Sequence, residues 1–211
     1  DILPGTDLVM SVGGDGTFLS ASQCVGKSGI PILGVNLGRL GFLSEYSPEE
    51  AGEALLSGGW YLEDRELLDT KVYGDVPDNG QRFWPYTLNE VSVHRSGAAL
   101  LGIDVTIDGH PLPTYWADGL LVATSSGSTA YSLSVGGPIC APEAKVLIIA
   151  PIAPHNLNAR PLVVPDTTRI TVSMRSGTMA SCSRWTTGTI LYSPQPPLTS
   201  RWHSFRLRGF V

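Results

Sequence analysis

Residues 8–17 read LVMSVGGDGT, an apolar run that ends on two glycines, an aspartate, a third glycine and a threonine. A strand broken by clustered glycines and followed by a helical pattern, here expected over residues 18–26, is the opening of a parallel α/β unit. The pattern repeats at once. Residues 30–36 (IPILGVN) form a second apolar run, and LGRLGFLSEY leads from it into SPEEAGEALLSGG. There Ser47 stands as an N-cap, Pro48 at the first helical position, and Glu49 and Glu50 in the first turn, where acids favour the positive end of the helix dipole. Gly58 and Gly59 stop that helix. Strand, loop and helix taken twice is the grammar of a parallel sheet. Few residues precede the first strand, so a further strand and helix are expected upstream of Asp1.

After Leu68 the grammar changes. TKVYGD, YTLNEVSVHR, LLGIDVTIDGHPL, DGLLVATSS, AKVLIIAPI and TTRITVSMRS read as strands with alternating or continuous apolar faces, separated by turn residues. A short helix is expected only around residues 130–135. The chain therefore divides into an α/β part, residues 1–68, and a β-rich, sandwich-like part, residues 69–211.

Composition narrows the function classes. A length of 211 residues suits one large domain or two small ones, and 42% hydrophobic residues suffice for a core, which excludes disorder. No apolar run approaches the ~20 residues of a membrane-spanning helix. The net charge is −5 with no run of Lys or Arg, which argues against a nucleic-acid partner. Cys24, Cys140 and Cys182 are far apart and form no CxxC, so they read as reduced thiols of a cytoplasmic protein.

Three stretches carry chemistry. In GGDGT, Gly13, Gly14, Gly16 and Thr17 place backbone N–H groups around an anion at a helix start. Asp15 would repel a phosphate held there, so it suits a different role, touching a hydroxyl to be deprotonated or a metal. The stretch lacks the Lys of a Walker loop, and a plain turn with an Asx cap is the bland alternative. The second stretch is DGLLVATSSGSTAYSLSVGGP, residues 118–138, where small hydroxyl residues around Gly127 admit a polar ligand and Tyr131 can stack on a base. The third is Asn89-Glu90 within a strand, a costly pair to bury unless both are hydrogen-bonded. Sugar hydroxyls and an adenine edge would satisfy it.

GGDGT, LNEVSVHR, DGLLVATSSGSTAYSLSVGGP and PIAPHNLNARPLVVPD, in this order and at these intervals, resemble the NAD kinase family. The likeness runs from about residue 7 to 175. It implies an α/β N-terminal domain and a β-rich C-terminal domain of the NAD kinase and diacylglycerol kinase type, with NAD between them. It further implies Mg²⁺-dependent transfer of the ATP γ-phosphoryl to the 2′-hydroxyl of the adenosine ribose of NAD, and a homodimer or homotetramer without membrane or nucleic-acid partners. On the matching positions, Asp15 is the general base. Gly13, Gly14, Gly16, Thr17, Asn89, Glu90, Asp118, Ser126, Thr129, Ala130, Tyr131, Ser132, Leu133, Ser134 and Ala153 are implied as dinucleotide-binding. Trp116 stands where such enzymes often carry a basic residue, and His155 reads as structural. The alternatives are a lipid kinase, which shares GGDGT but not the Asn-Glu pair or the SGSTAYS loop, and a binding protein without turnover.

The tail departs from the family. Residues 177–211 show no clean alternation and carry Trp185, Trp202, Pro194, Pro196 and Pro197. Read one nucleotide back, Met179-Ala180 forces a glycine codon and Trp185-Thr186 an aspartate codon, and the stretch can encode Asn-Tyr-Gly-Leu-Leu-Leu-Ser-Leu-Asp-Asn-Arg. A frameshift near Gly177 would explain it, with a genuinely divergent tail as the alternative. The shifted reading expects poor packing there and a missing or distorted closing strand.

Overall fold

Strand β1 (Val9–Val12) pairs in parallel with β2 (Ile32–Val35), in register from Val9↔Ile32 to Val12↔Val35, and helix α1 (Asp15–Val25) connects them. The computed structural model describes residues 2–26, 28–38, 41–73, 85–95 and 97–175, together with the backbone of four strands beyond them. Helix α1 starts three residues before the position expected. Gly14 is its N-cap, and the Gly14 carbonyl accepts the N–H of Thr17 and Phe18. Asp15 is thus the first helical residue and not part of a loop. Helix α2 (Pro48–Ser57) has the start expected of it. Ser47 accepts the Glu50 N–H while the Glu50 carboxylate accepts the Ser47 N–H, a reciprocal capping box, and Gly58 ends the helix in the left-handed conformation. Those bonds hold the exposed Glu50 carboxyl below its ordinary range, the Ser47 backbone N–H contributing most.

Strand β3 (Trp60–Arg65) follows. The first sheet has the order β1-β2-β17-β3, where β17 (Trp202–Leu207) comes from the tail. It runs antiparallel to β3 from Trp202↔Arg65 to Leu207↔Trp60, and touches β2 in parallel at Ser204↔Ile32. This corrects the assignment of the whole tail to the β-rich part. Strand β17 pairs with β3 over six residues and with β2 at a single pair, so a distant segment links β3 to the sheet. The chain accordingly forms two compact units, Asp1–Glu66 with Pro197–Val211, and Leu67–Pro196.

The second unit is a sandwich of two sheets. One has the order β12-β11-β10-β6-β14-β15 and the other β5-β4-β16-β13-β7-β8, with β9 also paired to β7. In chain order these are β4 (Leu68–Tyr73), β5 (Tyr86–Thr87), β6 (Glu90–Arg95), β7 (Leu101–Ile107), β8 (His110–Pro111), β9 (Tyr115–Ala117) and β10 (Gly119–Thr124). A 3₁₀ turn (Ser126–Thr129) and the one-turn helix α3 (Tyr131–Ser134) precede β11 (Val146–Ile152), β12 (Leu162–Pro165), β13 (Ile170–Met174), β14 (Ala180–Cys182), β15 (Trp185–Thr186) and β16 (Thr189–Tyr192). The β7–β8 hairpin turns on Asp108-Gly109, both at positive φ, as a two-residue turn requires.

Alternation decides which side chains meet. Val93, Leu120, Leu147 and Ile149 enter the core between the sheets with Leu101, Ile103, Val105, Ile170 and Val172. Leu121, Ala123, Ile148 and Ala150 face the other way and form a second cluster with Tyr131 and Val135. The six-stranded sheet is therefore covered on both faces at its centre, which is why LLVA and LIIA read as continuous apolar runs. The expected poor side-chain packing of the tail lies outside the described residues. Their backbone forms β14 against β6, β16 between β4 and β13, and β17 in the first unit.

Candidate functional site

In the first unit the candidate residues gather at the carboxyl ends of the parallel strands β1 and β2, where open α/β sheets place their ligands. Gly13 leaves β1 at positive φ, and its N–H reaches the Val35 carbonyl at 2.8 Å. The half-buried Asp15 carboxylate is enclosed by the loop after β2. Its Oδ2 accepts the Phe42 N–H at 3.0 Å, and its Oδ1 accepts those of Leu43 at 3.0 Å and Ser44 at 3.2 Å. A Cβ on Gly41 would collide with the same carboxylate, so only glycine permits this approach. Asn36 ties the loop down, with its amide Nδ2 donating to the Ser44 carbonyl at 3.0 Å and its Oδ1 accepting the Gly38 N–H at 2.7 Å. Sequence reasoning missed the 41–44 loop. Its signal was available in LGRLGFLS, a second glycine-bearing loop directly after the second parallel strand.

In the second unit Asn89 immediately precedes β6 and Glu90 begins it, and the Gly127 turn lies against the Asn89 backbone. The Asn89 carbonyl accepts the Thr124 N–H at 2.9 Å, and a Cβ on Gly127 would strike the Asn89 backbone, so the glycine sets how closely the loop lies. The Tyr131 N–H donates to the Glu90 carboxylate. Burial nevertheless drives the Glu90 carboxyl above its ordinary range, with the Tyr131 N–H opposing it. Asn89 Oδ1, Glu90 Oε2 and Ser132 Oγ are all buried without a hydrogen-bond partner. Leaving such groups unpaired costs about 1–3 kcal/mol each. Asn89 and Glu90 are neighbours in the chain, and an unpaired couple of this kind marks a place where a ligand with several donors would be held.

The hydroxyls of this stretch divide by role. Ser125 Oγ donates to the Pro142 carbonyl at 2.8 Å, Ser128 Oγ accepts the Cys140 N–H at 3.0 Å, and Thr124 Oγ1 accepts the Gly127 N–H at 3.1 Å. These shape the loop. Ser126 is buried, Thr129, Ala130 and Tyr131 are partly exposed, and Leu133 and Ser134 are exposed.

Asp118 and Ala153 lie elsewhere in the same unit. Glu90 pairs with Ala123 near one end of β10, whereas Gly119 pairs with His94 and Ile152 at the other. Asp118 is thus about 20 Å from Thr124, at the ~3.3 Å rise per strand residue. Its carboxylate pairs with the Arg95 guanidinium, Oδ1 to Nε at 2.6 Å and Oδ2 to Nη2 at 3.3 Å. Ala153 has φ 46°, a conformation that disfavours a side chain. The bend there is held by the His155 N–H on the Trp116 carbonyl at 2.7 Å and by Asn156 Oδ1, which accepts the Trp116 N–H at 2.7 Å. His155 is exposed and takes part through its backbone, while Asn156 is the side chain that ties this corner. Among the described residues, no three His, Cys, Asp or Glu side chains gather as a metal cage. No described helix is long and apolar enough to cross a membrane.

Residues 3–57 match the ATP-NAD kinase N-terminal domain family and residues 88–201 the ATP-NAD kinase C-terminal domain family. The chain is 47% identical over 174 residues to an NAD kinase of Bacteroides fragilis, covering 81% of this chain and 59% of that protein. It is 45% identical over 174 residues to an NAD kinase of Flavobacterium psychrophilum, with 81% and 58% covered. The chain thus spans about three-fifths of the length of these curated relatives. Among solved structures it resembles yeast NADH kinase complexed with NADH, with TM-score 0.80 and 28% identity over 97% of this chain and 62% of that one. It also resembles an NAD kinase from Archaeoglobus fulgidus in complex with ATP, with TM-score 0.72 and 28% identity over 96% of this chain and 78% of that one.

Proposed function

The chain belongs to the ATP-NAD kinase family, and on that premise we propose that it transfers the γ-phosphoryl of ATP to the 2′-hydroxyl of the adenosine ribose of NAD, giving NADP. The observation that carries the reading is the buried, unpartnered oxygens Asn89 Oδ1 and Glu90 Oε2, with Ser132 Oγ of the 126–134 loop likewise buried and unpartnered. Ribose hydroxyls and an adenine amino group supply the donors that the Asn89 and Glu90 oxygens lack. A dinucleotide is also long enough to engage Asp118 and Ala153 at the other end of β10. Tyr131 offers a ring for a base.

Asp15 is the proposed general base. A carboxylate offers about four lone-pair positions; three face the amides of Phe42, Leu43 and Ser44. The fourth suits a ribose hydroxyl, which is a weak nucleophile until its proton is accepted. Phosphoryl transfer otherwise rests on positioning and charge neutralisation. At the start of α1 the Gly14 and Gly16 amides and the Thr17 hydroxyl serve phosphate oxygens, while Gly13, bonded to Val35, sets the turn that presents them. Mg²⁺ is read as part of the substrate, arriving on the ATP phosphates. A cytoplasmic homodimer or homotetramer completes the proposal.

The test is incubation of the chain with NAD, ATP and Mg²⁺, with NADP read by an NADP-specific dehydrogenase. NADP formation is expected, and Asp15→Asn should lower turnover about 10²–10⁴-fold with NAD affinity little changed. NAD binding without product would leave only a binding module. Near-normal turnover in Asp15→Asn would remove that residue from its role.

A further inference from the structure

Strand β6 presents a polar column of which only its first member, Glu90, is used above. Val91 and Val93 face the core between the sheets, so Glu90, Ser92 and His94 share the opposite face. Tyr131 lies along that face. Its backbone N–H is bound by Glu90 at the start of the strand, and its phenol ring stacks on the His94 imidazole, with centroids 5.9 Å apart and planes 13° from parallel. The imidazole is itself fixed, because His94 Nε2 lies 3.1 Å from Ser92 Oγ. Tyr131 is therefore held at both of its own ends, at its backbone by Glu90 and at its ring by His94.

We propose that His94 is a positioning residue for the dinucleotide, the platform that fixes the Tyr131 ring in the orientation a bound base stacks on. A one-turn helix cannot fix a tyrosine ring by itself, since χ1 and χ2 are free wherever no neighbour locks them. The Tyr131 side chain also packs against the apolar cluster that includes Leu121, Ala123 and Ile148. A parallel ring at stacking distance does set the plane. Preorganising an aromatic contact spares the ligand the entropy of ordering it. Burial also keeps His94 below its ordinary range, which favours the uncharged imidazole in the stack.

This inference rests on the reading of the 126–134 loop as dinucleotide-binding, and the experiment separates the two. NAD affinity is measured by calorimetry, and KM and kcat by NADP formation, for the wild-type chain, His94→Leu and His94→Phe, with folding checked by circular dichroism. His94→Leu, which keeps apolar bulk but no ring, should weaken NAD binding and raise KM for NAD about two- to tenfold, leaving kcat and KM for ATP unchanged. His94→Phe restores the ring and should return NAD affinity to within about twofold of wild type. In the ligand-free chain, the imidazole proton resonances should carry a ring-current shift that Tyr131→Leu abolishes. NAD affinity unmoved in His94→Leu, equal losses for NAD and ATP, no rescue by His94→Phe, or no ring-current shift would each overturn the proposal. A wild-type chain that binds no NAD would overturn the dinucleotide reading and the proposal with it.

Discussion

At the scale of single residues, Asp15 shows what a sequence states and what it withholds. An acid inside a glycine nest announces chemistry, because nothing structural requires a charge there. Its partners, the amides of residues 42–44, stand 27 to 29 residues away and meet it only because β1 and β2 lie side by side. That contact has a consequence for Gly41. A methyl at this position lands on the Asp15 carboxylate, so in Gly41→Ala the carboxylate must swing away from its amides. The expected result is a loss of NADP formation of about ten- to a hundredfold, against a melting temperature little changed, since the loop is at the surface. Wild-type turnover in Gly41→Ala would show that the amide cradle is dispensable. Glu90 gives a second test, with a definite sign. Its folded-state carboxyl binds a proton more tightly than an ordinary one, so the ligand-free chain loses the benefit of protonation as pH rises through the raised value. Donors from NAD favour the ionised form, so NAD affinity should fall as pH is lowered through that same range, with proton release on binding. Calorimetry in buffers of differing ionisation enthalpy measures this, and Glu90→Gln should flatten the profile. A flat wild-type profile would exclude Glu90 as a ligand-facing acceptor.

At the scale of elements, local signals were legible and longer connections were not. Ser47, Pro48 and Glu50 specify the start of α2 by themselves, and the capping box forms as the spacing demands. The inner strands of the sandwich were legible because alternation and burial on both faces leave separate marks, as in GLLVAT. The Asn89-Glu90 pair was legible as a misfit, a polar pair where a strand should bury apolar groups. Which hydroxyls of the SSGST stretch face a ligand was not legible, because Ser125 and Ser128 look like Ser126 until the Pro142 and Cys140 backbones arrive. Gly127 is the hinge of this arrangement. Gly127→Ala forces the 3₁₀ turn off the Asn89 backbone, which cannot yield as a side-chain tip would. Overpacking of this kind costs about 1–3 kcal/mol, and it should weaken NAD binding more than ATP binding. Equal losses for both nucleotides, measured by calorimetry, would mean that the loop does not belong to the dinucleotide.

At the scale of the whole chain, the tail is where sequence and structure make opposite demands. Residues from about 177 onward, if they come from a shifted frame, would hold no designed pairing. The backbone instead gives the tail four strands among the described residues, and the C-terminal family match extends to residue 201, past that point. The sharpest contrast is β17, six residues that no alternation had marked as a strand of the first unit. In the order β1-β2-β17-β3, strand β3 joins the first sheet through β17 alone among the described residues. A chain ending at residue 196 would leave β1 and β2 as a two-strand remnant and take from β3 its partner in that sheet, and so short a sheet is marginal in water. Hydrogen exchange measures this directly. In the full chain the amides of 202–207 that bond to β3 should be protected along with those of 60–65. Truncation after 196 should release 60–65 while leaving 119–124 and 146–152 protected, because those strands pair within the sandwich. Free exchange over both 202–207 and 60–65 in the full chain would refute the pairing of β17. A one-base interruption in codons 170–190 of the gene would then identify the shifted frame as the cause.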